Sequence, residues 1–285
     1  MILNTLSKEV LYQSVAEVFS ISVREVETFI KKNASEIITY CYDEYSIWKL
    51  EIDSLLSLQN KFNILNEVIV HHITPRQSVI EIKKEGLLTL PHTLTKKTTL
   101  SEYLHGLGYV FEFNDNQIYM KKDGVDVEIS KLEHSNLRMR FGGKHSLNDF
   151  NVNGYLFAVC FRHADCLGWL GSPEILKSLS NAYRDHSIAD NYSDKCENFV
   201  VSFSVPIEKI DITGLNTDIT NEEKTEYLIK CSINALAYME KNMRNIEELY
   251  NPIIMLKRDL DVSGDNVEKI RRFRYTNTLM FPEDM

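Results

Sequence analysis

The chain has no Cys-x-x-Cys pair. Its five cysteines, Cys41, Cys160, Cys166, Cys196 and Cys231, are odd in number and scattered. That excludes a disulfide framework and a cysteine-ligated structural zinc site, and it fits reduced thiols in a cytoplasm. Basic charge is also scarce: 32 Lys and Arg stand against 41 Asp and Glu, for a net charge of −9. A broad basic surface that clamps duplex phosphates is therefore not expected. Local basic clusters occur at Arg138-Met-Arg140 with Lys144 and at Lys269-Ile-Arg271-Arg272-Phe-Arg274, and both read first as solvated faces or strand edges. No window offers the ~18 uninterrupted apolar residues of a membrane span. The first residues lack the basic and apolar regions of a signal peptide. Internal repeats, low-complexity tracts and Pro-rich linkers are missing as well. The expectation is a soluble cytoplasmic protein without membrane association.

What is present is ordinary globular material. The chain has 285 residues, 44% apolar and 26% charged, enough for one large domain or a main domain with a smaller helical one. Residues 1–66 read as a helical N-terminal domain or cap. Ser22-Val-Arg-Glu25 is a capping box, and Ile37, Ile38, Tyr45, Trp48, Leu55, Leu56 and Phe62 recur at helical spacing. Residues 67–285 read as a mixed α+β domain with an inserted β-rich segment at about 95–150, where Tyr109, Phe111 and Phe113 alternate ahead of turns at Asn114-Asp-Asn and Lys122-Asp-Gly124. Further strands are expected at Tyr155–Phe161, Phe199–Val205 and Ile253–Leu256. A long helix is expected to open at the capping box Thr220-Asn-Glu-Glu223.

The most informative stretch is Val68-Ile-Val-His-His-Ile73-Thr74-Pro75-Arg-Gln77. The β-branched run predicts a buried strand. Thr74 is expected to cap a helix, with Pro75 in its first turn and Gly86 at its end. Histidines at a strand end beside a helix N-terminus are well placed to meet a polar or anionic ligand. The same spacing also fits a plain cap at Thr74 and a histidine that fills the core.

His72-Ile73-Thr74, followed by Ser78-Val-Ile-Glu-Ile-Lys-Lys-Glu-Gly86-Leu-Leu, resembles the opening of the ADP-ribosyltransferase superfamily. There a strand ending in His-x-Thr or His-x-Ser leads through a helix to an Ile-x-x-x-Gly-Leu stop. The nearest likeness is to the DarT-type nucleic-acid ADP-ribosyltransferases and to RNA 2′-phosphotransferases. The resemblance covers about residues 67–270 and is strong only at 69–88. It implies a split, mostly antiparallel central sheet of ADP-ribosyltransferase type and NAD as the substrate. His72 and Thr74, with His71 beside them, would hold the nicotinamide mononucleotide half, and Arg162 would pair with an NAD phosphate. It also implies transfer of ADP-ribose to a nucleic acid or protein, a toxin or phage-defence setting, and a neutralising partner protein.

In this family a glutamate at or just before the last motif strand opposes the positive charge that develops as nicotinamide leaves. Glu248 is preferred for that role, with Glu247 beside it, although four residues separate Glu248 from Ile253 where the family's glutamate abuts its strand. Glu197, directly before Asn198-Phe199, fits the local pattern better but comes earlier in the topology. Two other readings stay open. One is a non-catalytic interaction or regulatory module on a degenerate transferase fold. The other is a metal-dependent nuclease using the patches at Arg138–His145 and Lys269–Arg274. It needs a carboxylate cluster, and Asp259, Asp261 and Asp265 are close in sequence but poorly spaced for a calcium loop. The scattered histidines give no metal-ligand spacing, and no metal is expected.

Overall fold

The computed structural model describes residues 1–40, 43–52, 62–132, 135–141, 150–158, 170–241 and 249–273. The chain opens with a short strand, β1 (Ile2–Leu3), that the sequence does not signal. Helices α1 (Lys8–Phe19), α2 (Val23–Tyr40) and α3 (Glu44–Trp48) follow. The box at Ser22 forms as expected: the Glu25 carboxylate accepts from the Ser22 amide at 2.7 Å, and the Ser22 hydroxyl accepts from the Glu25 amide at 3.3 Å.

Strand β2 (Glu67–Arg76) is the centre of the fold. It does not stop at Ile73. β7 (Glu197–Pro206) lies antiparallel along its whole length, from Glu67 opposite Pro206 to Arg76 opposite Glu197, and this ladder keeps residues 74–76 extended. Thr74 is therefore a strand residue and not a helix cap. The helix begins four residues later as α4 (Val79–Glu85), where Ser78 caps the Glu81 amide at 3.2 Å and the Glu81 carboxylate accepts from the Gln77 amide at 2.7 Å. Gly86 ends it at φ 72, and a Cβ there would sit 2.1 Å from the Val262 carbonyl oxygen. Only glycine lets the chain pass this close and form the bridge between Leu87 and Val262.

Helices α5 (Leu90–Thr95) and α6 (Thr99–Gly106) lead into a small sheet of β3 (Tyr109–Asn114), β4 (Gln117–Lys122) and β5 (Val125–Asp126). The third strand has only two residues, and the chain then turns into a 3-10 helix at Ile129–Lys131. Helix α7 (Ser135–Phe141) precedes β6 (Asn153–Tyr155). The strand expected at Tyr155–Phe161 thus ends where it was expected to begin: residues 156–158 are not strand, and 159–161 lie outside the described residues. Helices α8 (Glu174–Tyr183) and α9 (Ser187–Ser193) come before β7, and β8 (Ile210–Ile212) after it. Then follow α10 (Asn221–Glu240), capped by the expected Thr220/Glu223 box, β9 (Ile253–Leu256) and β10 (Val267–Arg272).

The main sheet runs β10-β7-β2-β6-β9-β8, with β1 parallel to the start of β2 and every other pairing antiparallel. The protein is an α+β fold with a mostly antiparallel central sheet. Among the described residues two large hydrophobic cores and a small third cluster of Ile73, Ala158 and Val200 hold it. The larger one packs the sheet residues Val68, Val70, Val201 and Phe203 against α1, α2 and α10, so residues 1–40 share a core with the sheet. α10 lies in the middle and is buried on almost all sides. The second core joins α6, the small sheet, α7, α8 and α9 through Leu104, Ile118, Phe141, Leu179 and Tyr192.

Candidate functional site: a cavity in the split sheet

Strand alternation sends His71 and His72 to opposite faces of β2. His71 is fully buried. Its Nδ1 lies 2.8 Å from Ser202 Oγ and its Nε2 lies 2.8 Å from Thr5 Oγ1. The direction of this chain is fixed at its ends. Arg271 Nη2 donates to Ser202 Oγ at 3.3 Å, and Thr5 Oγ1 donates to the Ile69 carbonyl at 3.5 Å. Ser202 therefore donates to Nδ1, and the proton sits on Nε2. Burial, with the Arg271 charge adding to it, pushes the His71 pKa down to about 3, so the ring is neutral.

His72 does something different. Past the pair His71–Tyr155, β2 and β6 make no further backbone pairing among the described residues. The His72 side chain spans the gap, Nδ1 donating to the Asn153 carbonyl at 2.5 Å. A carbonyl only accepts, so Nδ1 carries the proton and Nε2 is left as an acceptor. Burial, helped by the Arg76 charge and opposed by the Asn153 bond, holds this pKa down to about 4.

The gap between the strands opens into a cavity of about 350 Å³. One side is the splayed end of the sheet, with His72, Thr74, Arg76 and Asn153. The other is a largely apolar wall that includes Leu88, Leu90, Leu100 and Ile175. Gly154 makes the crossing possible, since a Cβ there would lie 2.5 Å from Val70 Cγ1 and 2.8 Å from the His71 carbonyl oxygen.

Charge in the cavity is balanced. Arg76 Nε lies 3.5 Å from Glu81 Oε1, and both side chains are largely buried. Burial pushes the Glu81 carboxyl up, against the pull of Arg76. Arg140, at the end of α7, forms an ion pair with Glu174 at the start of α8. Glu174 is the one carboxylate among the described lining residues.

The residues singled out in the sequence fall in different places. His72 and Thr74 come together on the cavity. His71 belongs to the buried relay on the other face. Glu197 stands at the start of β7, half exposed, with its carboxylate 2.7 Å from Arg272 Nε; it does not line the cavity. Arg162, Glu247 and Glu248 lie outside the described residues.

The three aspartates of the nuclease reading do not converge. Asp261 accepts from the Thr89 amide at 3.0 Å and lies 2.7 Å from His92 Nδ1 and 2.8 Å from Lys96 Nζ, which ties it to α5. Asp259 pairs with Arg258, and Asp265 opens a 3-10 turn. Among the described residues no three metal-ligating side chains form a group.

Sequence reasoning missed Arg76, Asn153 and Glu174 as lining residues. Asn153 had a signal in hindsight, a polar residue directly before a strand glycine. Comparison with protein-family models, with curated proteins and with solved structures gives no match.

Proposed function

We propose that this cavity binds the nicotinamide mononucleotide half of NAD and that the chain transfers ADP-ribose to a macromolecule. The observation that carries the reading is His72. It lies at the resemblance-bearing stretch, bridges the split in the sheet, and keeps Nε2 as an acceptor beside Thr74 in a cavity of mononucleotide size. A ribose hydroxyl would donate to Nε2, and Thr74 would position the same sugar. Arg76 and Arg140 offer charge for a phosphate in exchange for their glutamate partners.

In the reaction the bond between ribose C1′ and the nicotinamide ring nitrogen breaks, and its electron pair leaves with neutral nicotinamide. A hydroxyl or ring nitrogen of the acceptor forms the new bond at C1′, and its proton passes to a carboxylate or to water. The carboxylate is proposed from Glu248 and Glu247. Glu197 is the weaker candidate, because its ion pair with Arg272 lies off the cavity. Toxin or defence use, and a neutralising partner, go with this reading.

A second reading is non-catalytic NAD binding. It is favoured by the pairing of Glu174 with Arg140, which occupies the one carboxylate among the described lining residues.

The test is nicotinamide release from NAD by the purified chain, with and without cellular RNA, DNA and protein. Release is expected to fall sharply in His72→Ala and in Glu248→Ala or Glu247→Ala, and to persist in Glu197→Ala. Binding without release selects the second reading. Neither binding nor release rejects both.

A further inference from the structure

We infer that Asn153 selects the leaving group of this site, its side-chain carboxamide pairing with the carboxamide of the nicotinamide ring. The inference rests on the NAD reading above and adds the residue that would read the ring.

Asn153 begins β6, and its backbone is held from several directions. It pairs with Met255 of β9, its carbonyl accepts from His72, and the next residue is the closely packed Gly154. Asn153 lines the cavity, and among the described residues its buried Oδ1 has no hydrogen-bond partner. The neighbouring asparagines are different. Asn151 donates Nδ2 to the Leu256 carbonyl at 2.5 Å. Asn251 accepts from the Phe157 amide at 3.0 Å and donates to the Phe157 carbonyl at 2.7 Å. Those two side chains serve the backbone, whereas the Asn153 oxygen bonds no described residue.

Buried polar atoms are nearly always bonded, so an exception on a cavity wall points to a ligand with an N–H to give. A primary carboxamide places an N–H donor beside a C=O acceptor, the complement of an asparagine amide. The link between Asn153 and His72 decides which end of NAD is meant. His72 would take the nicotinamide ribose, and the nicotinamide ring is one bond from that sugar. A nicotinic acid ring has no N–H to donate at neutral pH and would set a carboxylate against Oδ1. Sites built to hydrogen-bond a group reject the analogue that lacks it.

The test is calorimetric binding of NAD, nicotinic acid adenine dinucleotide and ADP-ribose to the full chain, beside Asn153→Ala and Asn153→Asp, with a thermal melt of each. The wild type is expected to prefer NAD over the deamido dinucleotide by about tenfold or more. Asn153→Ala should lose that preference, keep its ADP-ribose affinity and melt no lower than the wild type. Asn153→Asp still accepts an N–H and should keep the preference. Equal binding of the two dinucleotides by the wild type overturns the inference and leaves the NAD reading standing. So does a clear drop in melting temperature for Asn153→Ala, which would make the carboxamide structural. Loss of ADP-ribose affinity in Asn153→Ala would set the residue against adenine and overturn it too. No binding of any of the three by the wild type overturns the NAD reading and the inference together.

Discussion

His71 and His72 are adjacent in the chain and neutral for different purposes: one closes a buried relay from Arg271 to Ile69, the other bridges two strands at the mouth of a cavity. Their pKa values of about 3 and about 4 lie below the ordinary 6.5. Above pH 6.5 neither the folded nor the unfolded chain protonates these rings, so they leave stability unchanged. Below it the unfolded chain takes up protons first, and stability should fall toward pH 4 for His72 and toward pH 3 for His71. Each site adds a slope of up to about 1.4 kcal/mol per pH unit in that window. Urea denaturation between pH 7 and pH 5 measures it, and His72→Gln should lessen the slope.

The relay on the far face predicts a stability loss unconnected with ligand binding. Ser202→Ala removes the link between Arg271 and His71 at a fully buried position and should cost about 1–3 kcal/mol. Thr5→Val keeps the shape, deprives the His71 Nε2–H of its acceptor, and should cost about 1–2 kcal/mol. Equilibrium unfolding of the two variants checks both. No change in either would mean the relay is not formed.

Gly86→Ala should destabilise the chain by about 1–3 kcal/mol, because φ is positive and the Val262 carbonyl occupies the space. The same change displaces the bridge that holds Leu87 at the cavity wall, so the proposed NAD binding should weaken with it. Gly106→Ala is the control. Nothing lies within 4 Å of its Cβ position, and its effect should stay within about 0.5 kcal/mol.

Asp261 ties the segment between β9 and β10 to α5, and replacing it by Asn should loosen the wall beside Thr93. Burial pushes its carboxyl up, but bonds from Lys96, the Thr89 amide and His92 outweigh this and hold it below the usual range. Its contribution is therefore present above the unfolded value of 3.8 and lost as pH falls through the lower folded value. A loss of about 1 kcal/mol at pH 7 in Asp261→Asn, shrinking in acid, is the expected result in the same unfolding assay.

Capping chemistry and alternation were legible in the sequence. Ser22 with Glu25 and Thr220 with Glu223 set their helices where expected, and Tyr109, Phe111 and Phe113 set the small sheet. The start of α4 was not, since two hydroxyl residues compete for the cap. Thr74 lies under the β7 ladder, so Ser78 wins. Pro75 reads as a helix start, yet among the described residues β2 has a strand on one flank only at that end, the setting in which a strand tolerates proline. For the site, the pairing of His72 with Thr74 on one cavity could be foreseen. Arg140 and Glu174 could not, because the second core brings them in from residues far along the chain.

The one-point contact between β2 and β6 has a consequence for how the protein keeps to itself. A strand with an unpaired flank is a template for other strands, and proteins ordinarily blunt such flanks with charge, proline or cover. Among the described residues the open flank of β2 faces the cavity that Leu88, Leu90 and Ile175 line. The backbone can stay unsealed there because the proposed small-molecule site takes the place of a neighbouring strand.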